Sequence, residues 1–445
     1  MPPPPPSVST TTLDAIGVGG PVVARPRPRP AGRAAFFRKL LAFSGPGYLV
    51  AVGYMDPGNW ATGIAAGSAY GCALLWVIVA SNLMAMFLQH LAAKLGIASG
   101  QDLARACRSR YSPAASLGLW LLCELAIVAC DLAEVLGAAV ALKLLFHLPL
   151  VWGVLLTAAE VLLILALQGR GVRRLEALIV ALMAGVGLCF VAEMMLSAPP
   201  LGYIARGLAP SPRLLADPTM LYLAIGVVGA TVMPHNLYLH SATVQSLPYE
   251  RTPAGRRGAV RFATLDLVIA LGLAIFVNAA ILILAAGAFH ARGANAVASL
   301  EDAFRLLSPA VGVGVASTLF AVALLACGQN SALTGTLAGQ VVMEGFTDLR
   351  LPAWARRIVS RLLAVGPAIC VIAAFGEASA TRLLIFSQVI LSLQLPFAVV
   401  PLVRLTSDRR VMGELVNSGG VRRLAYGLCA LLVALNAWML LKVAL

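Results

Sequence analysis

Apolar runs of about 18 or more residues recur roughly eleven times along this chain, each long enough to cross the ~30 Å hydrocarbon core of a bilayer as a helix. "CALLWVIVASNLMAMFLQHLAAKL", "VWGVLLTAAEVLLILALQ", "FATLDLVIALGLAIFVNAAILILAAGA" and "LAYGLCALLVALNAWMLLKV" are four of them. Short loops separate the runs and leave no room for a soluble domain. Only 12% of the 445 residues are charged and 60% are hydrophobic, where a soluble domain carries about 25% charged residues. The reading is an all-α polytopic membrane protein of about eleven transmembrane helices.

The formal charge of +14 invites a nucleic-acid partner, but the positions of the cations explain it as topology. Orientation follows Lys and Arg in short loops, not net charge. With the N-terminus inside, the inner side collects the basic groups at 25–39, 94–110, 170–174, 251–261, 350–361 and 404–423, including Lys94, Arg356, Arg357 and Arg361. The outer side keeps only Lys143, Arg206, Arg213, Arg292, Arg305, Arg382 and Lys442. The N-terminus is therefore expected in the cytoplasm and the C-terminus outside. Residues 1–42, with "MPPPPPSVSTTT" and "ARPRPRPAGR", are Pro-rich, basic and poor in apolar residues, which predicts a disordered cytoplasmic arm and not a cleaved signal peptide. Of the eight cysteines, Cys107 falls in a loop and the rest fall in spans without a CxxC pair, so buried free thiols are expected.

"GYMDPGNWATG", Gly53 to Gly63, interrupts the first span. A carboxylate at membrane depth costs roughly 2.5–3.5 kcal/mol, and a proline inside a helix ~3 kcal/mol. The sixth span, "MLYLAIGVVGATVMPHNLYLHSATV", breaks in the same pattern: Met233-Pro234-His235-Asn236 matches Asp56-Pro57-Gly58-Asn59. Spans one to five (43–200) and six to ten (215–405) then form two repeats, with an eleventh span over 420–445. Five spans per repeat make the second copy inverted in the membrane. Paired Pro/Gly-interrupted segments at matching places mark a transporter's binding site, where freed carbonyls face a cavity and serve as ligands.

Asp56, the amide oxygen of Asn59, the thioether of Met233 and the carbonyl of Ala230 make a set with one negative charge, suited to a cation. Mg²⁺ and Ca²⁺ want oxygen, so the thioether points to a softer divalent transition metal.

These motifs resemble the Nramp divalent-metal transporters: "DPGN" in span one, "MPHN" in span six, "GQNSALTGTLAGQVVMEGF" in span eight and "SQVILSLQLPFAVVPL" in span ten. The resemblance implies a LeuT-like 5+5 inverted repeat with helices one and six broken, and proton-coupled import of Mn²⁺, Fe²⁺ and related ions. It implies that Asp56, Asn59, Met233 and the Ala230 carbonyl ligate the metal, with Gln388 joining as the site closes. Relatives that carry magnesium or aluminium depart at the span-six methionine; this chain keeps Met233.

Span three places Glu124, Asp131 and Glu134 within an 80° stripe at about 100° per residue, and acids facing inward in a membrane helix mark proton or ion paths. Histidine as a residue type changes charge near neutral pH, and His235 lies inside the second break; His240 follows on roughly the same face. By resemblance both are functional, and Arg361 pairs with the span-three acids, with Ser360 where some relatives carry a second arginine. Gln329 and Asn330 are candidates for the permeation path. Glu160, Glu193 and Asp266 carry no assigned role beyond helix-end or network placement. No enzyme chemistry, resident cofactor, nucleic acid or obligate protein partner is expected; the partners are divalent ions, protons and the lipid bilayer, and lean loops suit a bacterial inner membrane. The rivals are a cation-coupled symporter for another small solute, a metal-sensing signalling protein, which should carry a sizeable soluble domain, and a divalent channel.

Overall fold

The structure, a computed structural model, describes residues 45–157, 188, 200–293, 299–311, 315–349 and 351–444. The N-terminal arm, most of spans four and five with Glu160 and Glu193, and Arg170, Arg173 and Arg174 lie outside the described residues. Among the described residues every regular element is a helix. The principal ones are α1 (Pro46–Gly53), α2 (Pro57–Tyr70), α3 (Leu75–Ser99), α4 (Leu103–Arg108), α5 (Pro113–Phe146), α6 (Pro218–Thr231), α7 (Pro234–Thr243), α8 (Pro253–Ala288), α9 (Leu300–Val311), α10 (Val315–Thr347), α11 (Ala353–Phe375), α12 (Ser379–Thr406) and α13 (Gly419–Ala444).

Eight helical stretches among the described residues are long and apolar enough to cross a membrane. One of them, Pro57–Ser99, has 43 residues, or about 65 Å at 1.5 Å per residue, too long for one crossing. It turns at Gly71, whose φ of 59° only glycine adopts without strain, so α2 ends there and α3 begins the next span. The short α1 and α2 together make one broken span, and α6 with α7 another.

Prolines open these pieces. Pro57, Pro113, Pro218, Pro234 and Pro253 each stand at a first helical position, where the missing N–H is no loss. Asp56, Ser112, Asp217 and Thr252 cap the helices that follow them. α1 has no cap of its own; Asp266, reaching from α8, accepts the Gly47 N–H at 2.8 Å and serves as one. Asp266, which had no assigned role in the sequence, thus caps a helix other than its own.

Burial follows the membrane setting. In the sixth span 94% of the apolar window is covered by protein and in α5 89%, against 28% in α13. The two broken spans and α5 therefore form the centre, while α13 and α11 turn most of their surface outward. α5 packs on α10, α12 and α11; α8 runs along α1, α2 and α3; α6 lies between α2 and α12.

The placements of four cations correct the sequence reading. Arg356, Arg357 and Arg361, counted as inner-loop cations, lie within α11 and are buried, because carboxylates of α5 receive two of them. Lys94 is likewise buried in α3, bonded to the Asn417 side chain. These four cations therefore do not count toward the orientation of the chain in the membrane. Cys107 sits buried in α4 and not in a loop. At the opposite end, Lys143 bridges Glu301 at 2.8 Å and Glu377 at 2.7 Å, and Glu377 also accepts the Leu150 N–H. The Lys143 hydrogen bond holds the Glu377 carboxyl below its usual range.

Candidate functional site

The first break runs through Tyr54–Asp56, between α1 and α2. Asp56 is fully buried, and its carboxylate accepts the N–H of Asn59 at 3.0 Å and of Gly58 at 3.1 Å. The acid is thus the N-cap of α2, held by the donors and the partial positive charge that a helix start exposes. The side-chain amide of Asn59, one turn on, donates to Asp56 Oδ1 at 2.7 Å and to the carbonyl of Ala230 at 2.8 Å. Ala230 belongs to the last turn of α6, so one amide joins the two broken helices. A second contact is steric: Gly53 leaves room for the Asn236 side chain of α7, which a Cβ at 53 would crowd.

The second break, Val232–Met233, is built differently. Met233 is fully buried and caps nothing; its sulfur lies 3.4 Å from Asn236 Nδ2. Gln388 of α12 lies against Gly58, so tightly that a Cβ there would overlap its amide, and that Cβ would stand 2.8 Å from Asp56 Oδ2. Gln388 is therefore already beside the carboxylate. Its nitrogen donates to Ser387 Oγ, while its buried Oε1 has no hydrogen-bond partner among the described residues. Asn236 Oδ1 and His235 Nδ1 are buried and unpartnered as well. Each such atom costs about 1–3 kcal/mol, and here one lies beside the first break and two just after the second.

The sequence-predicted ligand set is thus drawn together by contacts for Asp56, Asn59, Ala230 and Gln388, with Met233 three residues after Ala230. One detail departs from the expected arrangement: Asn59 turns its nitrogen, not its oxygen, toward Asp56 and Ala230. Ligation by the amide oxygen needs a half-turn about its terminal torsion. No group of three or more His, Cys, Asp or Glu side chains suited to a metal occurs among the described residues.

The acids of α5 begin one turn from this centre. Gly137 of α5 abuts Pro57, and a side chain at 137 would strike the ring. Glu134 is buried, accepts Ser331 Oγ–H at 2.8 Å and faces Arg361 Nη1 at 3.7 Å. Arg361 also donates to the Asp131 carbonyl at 3.4 Å. Asp131 and Glu134 both point at Gly335 of α10. Glu124, partly exposed two to three turns earlier, is served by Arg356 at 2.8 Å and by Trp120 Nε1 at 3.0 Å. Arg361 therefore pairs with Glu134, while Glu124 is paired by a different arginine, Arg356.

His240 stands apart from Met233. Its Nδ1 lies 3.0 Å from Gln89 Oε1, and Gln89 Nε2 donates to Tyr54 Oη at 3.0 Å. This buried chain ties α7, α3 and the first break together. Gln329 is half-buried and Asn330 buried on α10, within a turn of Ser331. Arg356, Ser331, Gln89 and Tyr54 escaped the sequence reading. The one available signal was polar side chains inside apolar runs, which does not say what they face.

The chain's similarities agree with this geometry. A family described as "Nramp: Natural resistance-associated macrophage protein-like" matches residues 47–442. A protein of Nostoc sp. named "Divalent metal cation transporter MntH" is 56% identical over 408 residues, 92% of each chain. One of the same name from Xylella fastidiosa is 58% identical over 402 residues, covering 90% of this chain and 85% of its own. A crystal structure of the Eremococcus coleocola manganese transporter, in complex with an aromatic bis-isothiourea substituted compound, superposes with a TM-score of 0.80 at 42% identity, covering 93% of this chain and 88% of that one. Mhp1 in its inward-facing conformation superposes at 0.59 with 16% identity, covering 89% of both chains, a likeness of fold alone.

Proposed function

The chain belongs to the Nramp family, and from that membership we propose that it imports divalent transition-metal ions, Mn²⁺, Fe²⁺ and similar, together with protons. It is an integral, multi-pass membrane protein and a transporter, not an enzyme, with the LeuT-like arrangement in which the first and sixth helices are broken. The observation that carries the metal reading is the meeting of the two breaks, where one amide touches both the buried Asp56 carboxylate and the Ala230 carbonyl.

The cation enters between Asp56 and the end of α6. Asn59 turns its oxygen inward, replacing its two donated hydrogen bonds with bonds to the ion. Gln388 Oε1, unpartnered beside Gly58, adds another donor, and Met233 supplies the soft ligand that disfavours Ca²⁺ and Mg²⁺. Metal binding displaces the proton from Asp56. That proton passes by way of His235 toward Glu134 and Asp131 and on to Glu124, with Arg361 and Arg356 holding the Glu134 and Glu124 carboxylates in place. His240 acts with Gln89 and Tyr54 on the far side of the break. Gln329 and Asn330 flank the same route on α10. Alternating access moves one set of helices against the other about the breaks. The remaining loop cations favour a cytoplasmic N-terminus and an external C-terminus, and the bacterial sources of the relatives favour a bacterial inner membrane.

The test is Mn²⁺ entry into proteoliposomes holding a metal-sensitive dye and a pH dye, with acid outside. The expected result is saturable entry that acidifies the lumen and is little affected by Ca²⁺ or Mg²⁺. Flux that tracks voltage without saturating, or Mn²⁺ entry without proton entry, overturns the carrier reading.

A further inference from the structure

A second groove lies far from the breaks, on the outward face of α8 beside α3. It has a volume of about 700 Å³ and is lined by Arg257, Arg261, His90, Leu265, Val268 and Leu415, among others. Arg257, Arg261, Leu265 and Val268 follow at steps of four, four and three, so they form one stripe along the helix. Two cations stand at one end of this stripe and apolar side chains continue it. Val268 is 43% exposed, and Ile269, Leu273 and Phe276 extend the exposed apolar surface further along the same helix.

α8 has 36 residues, about 54 Å of helix, against a hydrocarbon core of ~30 Å. A helix of this length extends beyond the core, and its first turns, with Arg257 and Arg261, suit the headgroup level while Leu265 and Val268 suit acyl chains. The charge at the headgroup end is unspent. Arg261 makes no ion pair among the described residues. Arg257 meets Glu414 only at 3.8 Å, and both of those side chains are about two-thirds exposed, so that pair is weak. Among the described residues, no carboxylate lines the groove.

We propose that this groove is a binding site for an anionic phospholipid, its phosphate held by Arg257 and Arg261 and one acyl chain lying along Leu265 and Val268. A free phosphate would satisfy the arginines but leave the apolar stripe unused. A zwitterionic lipid would fill the stripe but bring no net charge to the arginines.

Native mass spectrometry of the delipidated protein in detergent, titrated with phosphatidylglycerol or phosphatidylcholine, tests it. The wild type retains phosphatidylglycerol more strongly than phosphatidylcholine. In R257Q/R261Q the affinity for phosphatidylglycerol falls about tenfold or more, at roughly 1 kcal/mol per cation at the membrane surface. V268E, which puts a carboxylate on the acyl stripe and leaves the arginines intact, also weakens retention. R422Q/R423Q, a basic pair at the start of α13, leaves it unchanged. Millimolar inorganic phosphate does not displace the lipid. All variants alter exposed positions, and gel filtration verifies that they remain monodisperse. Equal retention of the two lipids, full retention in R257Q/R261Q or V268E, an equal loss in R422Q/R423Q, or displacement by phosphate would each overturn the proposal.

Discussion

The two helix breaks share a sequence pattern but not a chemistry. The first holds itself: Asp56 caps α2 through two backbone N–H groups and is gripped again by the Asn59 amide. At the second, Met233 caps nothing, and the buried His235 and Asn236 keep unpartnered polar atoms. The first break therefore fixes a charge in one place, while the second offers a carbonyl, a polarizable sulfur and groups free to rearrange. Divalent selectivity needs both parts, since charge attracts every cation and only the softer donors discriminate among them.

Asp56 combines a capping role with a charge, and Asp56→Asn separates them, because Asn caps as well as Asp. Stability should change by under about 1 kcal/mol in a detergent melt. Mn²⁺ uptake should fall on the order of 100-fold, since the only carboxylate of the set is gone. Unchanged uptake would reduce the first break to a structural cap.

Gly58 is where the two breaks differ most in bulk, since His235 holds the matching place in the second. Gly58→Ala sets a methyl into the Gln388 amide and close to Asp56 Oδ2. Overpacking of this kind costs about 1–3 kcal/mol, and uptake should drop roughly tenfold or more while the protein still purifies folded. Uptake at the wild-type rate would place Gln388 outside the site. Met233→Ala acts on the second break alone. Mn²⁺ uptake should stay within roughly tenfold of wild type, and Ca²⁺ should become an effective competitor, as loss of the soft donor removes discrimination and not charge. Retained selectivity against Ca²⁺ would return Met233 to helix packing.

The smallest effect is a control outside both breaks. Glu377 has its pKa depressed first by Lys143, so its contribution to stability is present above the ordinary carboxylate range and fades as pH falls through the lowered value. Both side chains are partly exposed, which limits the pair to under about 1 kcal/mol. Glu377→Gln should lower the melting temperature slightly at pH 7 and by less as the pH falls below the ordinary carboxylate range, with metal selectivity unaltered.

Much of this was legible in the residues because membrane depth makes polar groups costly. Asp56, Pro57 and the matching Met233-Pro234 break stand out against apolar runs, and so do the acids of α5. What was hidden is pairing between helices distant in sequence. Arg356 looked like a loop cation because its partner, Glu124, lies 232 positions away. Asp266 had no visible use because the N–H it caps belongs to Gly47, 219 positions earlier. Gln89 and Tyr54 gave no periodic signal, since each is a single polar group whose meaning comes from His240. The orientation of the Asn59 amide is a matter of one torsion, which no sequence pattern encodes.

The account turns on one ion seated between the two breaks. A crystal soaked in Mn²⁺ and measured by anomalous diffraction tests this most directly. The prediction is a single anomalous peak within bonding distance of the Asp56 carboxylate, the Ala230 carbonyl and the Met233 sulfur, with the Asn59 oxygen turned toward it. A peak that avoids Asp56, or none between the breaks in a Mn²⁺-saturated crystal, would contradict it.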